Sequence, residues 1–240
     1  MANREENIYM AKITEQTERF EDMLDAMKKV VSFGGDLTVE ERNLLSVAYK
    51  NSIGPRRTAW RALSSIEKKE EAKNSKNLPL LKAYKKKIEE ELNRFCNDII
   101  ALLQDKLVPA ANDSDAVVFY QKMKGDYYRY ISEYTSGDAH KKAGDQALEA
   151  YKAASEKATA DLKTTHPIRL GLALNFSVFY YEVQNDPAKA CQLAKQAFDD
   201  AIADIEHIEE EQYKDSTTIM QLIRDNLTLW TSELEEAGDN

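Results

Sequence analysis

Helix-breaking residues are scarce in this chain: 8 glycines and 5 prolines in 240 positions leave little turn punctuation. Long amphipathic helices suit such a composition, and no run reads as a strand. Only two cysteines occur, Cys96 and Cys191, far apart and outside any metal-ligand spacing, so a disulfide or zinc site is not expected and both are read as reduced thiols. No stretch approaches the roughly 18 apolar residues of a membrane span, and the opening MANREENIYM holds no apolar run resembling a secretion signal. A cytoplasmic location is therefore expected. A net basic surface is also missing. The formal charge of −9 argues against a general nucleic-acid binder, whose affinity rests on neutralising many phosphates.

What is present is charge and apolar residue in helical rhythm, 31% and 42% of the chain. Met10, Ile13, Thr17, Phe20 and Leu24 follow helical spacing, and Gly34-Gly35 ends this section near Phe33. Thr38 to Glu41 reads as a capping box opening a long helix that carries Leu44, Leu45, Ala48, Trp60 and Leu63. The spacing predicts a second long helix from about Leu78 to Leu107, stopped by Pro109 and the Asn112-Asp113-Ser114 cluster. Further breaks fall at Gly137-Asp138, at His166-Pro167 and at Asn185-Asp186-Pro187, where Asp186 caps and Pro187 takes the first helical position. A last helix is expected from near Gln212 to Thr231, followed by an acidic, mobile tail. The sum is an all-α chain of about nine helices with short connections. Asp186 to Ala203 has the alanine spacing of a tetratricopeptide helix, without a repeat of that period elsewhere.

Two cation clusters stand out. Lys50 and Arg57 are seven residues apart, about two turns along one helix face, with Arg61 a turn further. Taken alone, such a stripe is more often a solvated face. The second cluster, Lys122, Lys124, Arg129 and Tyr130, lies in the aromatic-rich run Phe119 to Tyr134. Guanidinium forks match phosphate geometry and a phenol adds a hydrogen bond, so these groups suit a phosphate monoester. Each charge-assisted hydrogen bond is worth roughly 1.5–3 kcal/mol. The net negative charge does not oppose this, because the Debye length is about 8 Å at physiological salt. Leu174 and Val178, and Ile219, Leu222, Asn226 and Leu229 beside Trp230, recur at helical spacing. Such stripes are usually core, and the spacing alone leaves open which side chains face a groove. Asn175 and Asn226 lie on or beside them, suited to bonding a peptide backbone or to serving as satisfied amides.

The segments RNLLSVAYKN (Arg42 to Asn51) and YKDSTTIMQLIRDNLTLWTS (Tyr213 to Ser232) resemble the two signature segments of 14-3-3 proteins, and KMKGDYYRY and HPIRLGLALNFSVFYYE resemble other characteristic stretches of that family. The likeness runs from about residue 4 to 233. It implies a single domain over 1–233, with dimerisation helices over about 3–108, groove helices over about 115–233 and a flexible acidic tail at 234–240. The protomer would be a cup of antiparallel helices with a concave ligand groove, dimerising through its N-terminal helices. Lys50, Arg57, Arg129 and Tyr130 would form the phosphate pocket, with Arg61 and Asp126 orienting the cations. Asn175 and Asn226 would hold the ligand backbone, Leu174, Val178, Ile219, Leu222, Leu229 and Trp230 would line an apolar wall, and Lys124 and Glu182 its polar side. Arg19 and Asp22 of one subunit would face Glu91 and Lys87 of the other. The implied partners are phosphoserine- and phosphothreonine-containing proteins, a second copy of the chain, or a paralogue in a heterodimer. The implied role is an adaptor in signal transduction, without cofactor or metal, cytoplasmic and entering the nucleus with bound partners.

Some positions depart from the family pattern. Pro55 stands inside the long helix between Lys50 and Arg57, where a kink would re-aim both cations. Thr218 replaces a leucine of the apolar wall, Ser52 an aliphatic residue, and Thr17 an alanine at the expected dimer face. Ala59 stands where some relatives carry a regulatory serine, with Thr58 beside it.

Two other functional classes fit the sequence less well. An enzyme finds little support: His140, His166 and His207 sit in unrelated contexts, with no HExxH spacing, phosphate-loop glycine pattern or nucleophile elbow. A scaffold for unmodified helices would lack a use for the cations and would lose little on Arg57→Ala.

Overall fold

The computed structural model describes residues 3–238, and side chains for 3–236. Among the described residues there are nine long helices and no strand. The chain divides into two compact units, Met1–Ala111 and Asn112–Asn240.

The first unit holds α1 (Arg4–Gln16), α2 (Phe20–Ser32), α3 (Val39–Ala72) and α4 (Leu78–Leu102), the last extended by a π-helical turn at Leu103–Leu107 and a short helix at Val108–Ala110. The expected capping box is present: Thr38 Oγ1 accepts from Glu41 N at 3.2 Å, and Glu41 Oε2 accepts from Thr38 N at 2.8 Å. Glu41 also accepts from Arg4 Nε at 2.9 Å, so the carboxylate that starts α3 ties it to α1. The continuous section expected from Met10 to Phe33 is instead two helices, parted at Thr17–Arg19 with Glu18 at φ 56°. No glycine or proline marks that break. The Thr17 hydroxyl donates to the Ile13 carbonyl at 3.0 Å and closes the last turn of α1 from within.

The core of this unit is a layer of Met23, Met27, Leu45, Ile53, Leu92 and Ile99, each no more than 1% exposed. Arg56 crosses it. Its Nε donates to Glu91 and its Nη2 to Glu21, each at 2.7 Å, while the guanidinium lies 4.6 Å over the Phe95 ring. Three helices are thereby joined through one planar cation. Burial works against the charge on Arg56, yet the two carboxylates hold its pKa above the usual value.

Helix α3 runs unbroken through Pro55. Lacking an N–H, the proline cannot donate to the Asn51 carbonyl one turn earlier. Arg56 Nη1 donates to the neighbouring Ser52 carbonyl at 2.7 Å, a second use of the same guanidinium. Ser52 is buried, and its hydroxyl has no hydrogen-bond partner among the described residues. Since Pro55 is exposed, truncation leaves no cavity. Pro55→Ala is therefore expected to stabilise the protein by about 1–3 kcal/mol, read as a higher midpoint in urea unfolding. An unchanged or lower midpoint would mean that the proline's restriction of the unfolded chain outweighs the missing hydrogen bond.

The second unit holds α5 (Ser114–Tyr134), α6 (Gly137–Asp161), α7 (Pro167–Glu182), α8 (Pro187–Ala203) and α9 (Glu210–Gly238), with a 3-10 turn at Ile205–His207. The caps fall where the sequence put them. Asp186 Oδ1 accepts from Lys189 N at 2.9 Å, and His166 Nδ1 accepts from Ile168 N at 3.1 Å with Pro167 next in line. The last helix continues to Gly238, seven residues past its expected end at Thr231; Asp239 and Asn240 lie outside the described residues. Tyr181 accounts for part of this extension, because its ring stacks on Trp230 and its hydroxyl bonds Glu233. Two apolar clusters fill the unit. One is built on Tyr151, Phe176 and Phe179, the other on Leu170, Met220, Ile223 and Trp230.

Candidate functional site

In the first unit, Lys50, Arg57 and Arg61 follow one another along α3. Lys50 and Arg61 are exposed and Arg57 is partly buried, while Leu44, Leu45, Ala48 and Ile53 of the same helix point into the core. The amphipathic pattern of α3 thus sets its cations outward. Among the residues assigned to a dimer face, Arg19 and Asp22 pair with each other, Glu91 is engaged by Arg56, and Lys87 is exposed.

In the second unit, Asp126 is the centre of a buried polar cluster. It lies one turn from Lys122 and from Arg129 along α5, so all three share a face. Asp126 Oδ2 accepts from Lys122 Nζ at 2.9 Å; Oδ1 accepts from Tyr151 Oη at 2.5 Å and from Asn175 Nδ2 at 2.9 Å. Arg129 Nε donates to Tyr151 Oη at 3.2 Å, and its Nη1 lies 3.5 Å from Glu182 Oε2. The Tyr130 ring sits 4.9 Å from the Arg129 guanidinium carbon. Burial penalises the Asp126 carboxylate, but Lys122, Arg129 and the Tyr151 hydroxyl hold its pKa below the ordinary carboxylate value. Burial likewise opposes the Arg129 charge, and its surroundings still raise its pKa well above normal. Burial and Asp126 push the Tyr151 phenol well up, so it remains a hydrogen-bond donor. At neutral pH the cluster is a carboxylate and a guanidinium joined by a neutral hydroxyl.

An apolar face lies beside it. A Cβ on Gly171 would come within 3.7 Å of Lys122 Cε and 4.0 Å of Ile219 Cδ1, which places this cation next to the stripe on α9. Ile219, Leu174 and Val178 are partly buried against the second apolar cluster, while Leu222 and Leu229 are 48% and 55% exposed. Asn226 shares the α9 face with Ile219 and Leu222, at spacings of seven and four.

One placement differs from the sequence reading. Trp230 is 3% exposed and stacks on Tyr181 with centroids 4.9 Å apart, so its ring is core beneath the stripe and not its surface. Lys122 is the lysine on Asp126; Lys124, expected on the polar side of the wall, lies two residues on and roughly 200° further around the helix. Thr218 is exposed and donates its hydroxyl to the Lys214 carbonyl at 2.7 Å, which satisfies the group that replaces a leucine. Tyr151 was not singled out in the sequence. A signal for it exists in Gly125, a mid-helix glycine whose Cβ would meet the Tyr151 ring at 2.7 Å.

His140 Nδ1 lies 2.8 Å from the Ser132 carbonyl, and His166 caps α7 with its Nε2 3.2 Å from Asp115 Oδ2. No grouping of three or more metal-ligating side chains occurs among the described residues, and none of their helices is long and apolar enough to cross a membrane.

Residues 10–231 match the family model described as 14-3-3 protein. The chain is 61% identical over 237 residues to the 14-3-3-like protein GF14 epsilon of Arabidopsis thaliana, covering 98% of this chain and 93% of that one. It is 60% identical to protein BMH2 of Saccharomyces cerevisiae over 237 residues (98% and 87%), and 60% identical to the checkpoint signal transducer rad24 of Schizosaccharomyces pombe over 234 (97% and 87%). A family match across more than nine-tenths of an all-helical chain, with relatives this similar over their own near-full lengths, admits one conclusion: the chain belongs to the 14-3-3 family.

Proposed function

We propose that this protein is a signalling adaptor that binds phosphoserine- or phosphothreonine-containing segments of partner proteins and, as a dimer, clamps or masks them. Lys50, Arg57, Arg129 and Tyr130 are its phosphate-binding residues, Asn175 and Asn226 its backbone holders, and Leu174, Val178, Ile219, Leu222 and Leu229 its apolar contacts. The observation that carries this reading is the buried, permanently charged Arg129 in the same unit as an exposed apolar and amide face on α9. Asp126 and Tyr151 compensate the buried cation from within, and Glu182 on its outer edge is exposed enough to give way to an anionic ligand. The relative named as a checkpoint signal transducer fits a regulatory role. Binding, not turnover, is the whole mechanism: the partner is held in one conformation or hidden from others.

Dimerisation is supported by apolar side chains left at the surface of the first unit, among them Ile66 and Tyr84 at 46% and 53% exposure. Two bound phosphosites on one partner would then share a high effective concentration. The cytoplasm, and the nucleus with bound partners, are the compartments where such ligands are met.

The test is fluorescence anisotropy with a singly phosphorylated peptide containing arginine, phosphoserine and proline, against its unphosphorylated twin. Two or three charge-assisted hydrogen bonds predict a preference of about 100-fold or more for the phosphorylated form. Equal affinity for the twins would overturn the reading.

A further inference from the structure

We propose that Tyr151 is a positioning residue for phosphate binding: its hydroxyl, interposed between Arg129 and Asp126, keeps the guanidinium from closing onto the carboxylate and leaves its outer nitrogens to the ligand. The proposal rests on Arg129 being a phosphate ligand.

A buried arginine one turn from a buried aspartate would ordinarily form a two-pronged ion pair, which occupies two parallel N–H groups and largely cancels the charge a phosphate would meet. Here that pair is open. Arg129 Nη2 stands 3.7 Å from Asp126 Oδ1, too far for a hydrogen bond. The connection runs instead through Tyr151 Oη, which accepts from Arg129 Nε at 3.2 Å and donates to Asp126 Oδ1 at 2.5 Å. Only the inner nitrogen of the guanidinium is consumed. Asp126 is meanwhile hydrogen-bonded from other directions by Asn175 on Oδ1 and Lys122 on Oδ2. The outer edge of Arg129 reaches the half-exposed Glu182, the side from which an anion can arrive.

The hydroxyl can do this only if it cannot move. The Tyr151 ring is 0% exposed, stacks on Phe176 with centroids 5.2 Å apart and an interplanar angle of 21°, and lies 5.5 Å from the Phe179 ring. On its remaining side the backbone of α5 comes so close that only glycine fits at position 125. Full burial also means that Tyr151 acts through Arg129 without touching a ligand. A fixed neutral bridge of this kind orients a cation without neutralising it.

The experiment compares the unmutated protein with Tyr151→Phe, which keeps the ring packing and removes the bridge. Affinity is measured for the phosphorylated peptide and its unphosphorylated twin, in the native background and with Arg129→Lys, whose side chain lacks the inner nitrogen donor. Tyr151→Phe is expected to weaken the phosphorylated peptide about 5- to 20-fold, leave the bare peptide unchanged, and add less than about twofold once Arg129 is lysine. An affinity within about twofold of the unmutated protein, or an equal loss in both backgrounds, would show that Tyr151 serves packing alone. A second measurement holds should Tyr151→Phe fail to fold: in the unmutated protein the Arg129 Nε–H should be protected from solvent exchange in nitrogen-15 NMR. Rapid exchange there would overturn the positioning role even if the peptides are discriminated. Indifference of the unmutated protein to phosphorylation, with Nε–H protected, would instead remove the phosphate clamp and leave the bridge without that purpose.

Discussion

Replacing Asp126 by alanine should cost the protein about 3–5 kcal/mol of stability, because it removes one charge from a buried pair and leaves the other uncompensated. Asp126 is 6% exposed and receives three hydrogen bonds, from Lys122, Tyr151 and Asn175. Lys122, with about a quarter of its side chain exposed, can turn to solvent; Arg129, at 8%, cannot. The guanidinium would remain in the core beside a phenol that has lost its acceptor. Urea unfolding measures the effect, and a loss under about 1 kcal/mol would mean that water enters the cluster and replaces the carboxylate. The same pair dictates a direction with pH. The folded-state pKa of Asp126 is depressed, so its contribution is complete above the unfolded value of about 3.9 and is lost as pH falls through the folded value. Asp126→Asn, neutral at every pH, should flatten the acid limb of the stability profile relative to the unmutated protein.

The helices were legible in the sequence because their signals are local. Thr38 and Glu41 are three residues apart and close on each other whatever surrounds them, and Asp186 needs only the next turn to cap. The break at Glu18 was not legible, since its cause is a left-handed backbone at a residue type that rarely adopts one. The end of α9 was misplaced for a related reason: the contact that extends it, Tyr181 with Trp230 and Glu233, joins residues about fifty apart. For the candidate site, cation identity was readable and cation placement only in part. Lys122, Asp126 and Arg129 share a face by spacing, whereas Lys124 is charged, adjacent in sequence and turned away. Tyr151 could not be chosen from twelve tyrosines by composition. Its place is fixed by Gly125 and Phe176, from two other helices, and such pairing is tertiary information.

Lys50→Glu should abolish selection for phosphate while leaving the fold intact, and this separation makes it the sharper test of the binding role. The side chain is exposed on α3, whose core contacts come from Leu45, Ala48, Tyr49 and Ile53, so the unfolding midpoint should move little. Reversal subtracts one charge-assisted hydrogen bond and adds a like-charge repulsion against a ligand carrying about −1.5 to −2. Together these predict a loss of about 100-fold or more for the phosphorylated peptide, with the bare peptide unaffected. Raising salt should weaken the unmutated protein's affinity and narrow its difference from the variant, since part of the attraction acts over about 8 Å through solvent. Pro55 enters here, five residues from Lys50 and two from Arg57 on the unbroken α3. Retention of selective binding by the unmutated protein, together with its loss in Lys50→Glu, would show that the proline does not disarm the helix. Equal binding of both peptides by both proteins would place the phosphate, if one is bound at all, away from α3.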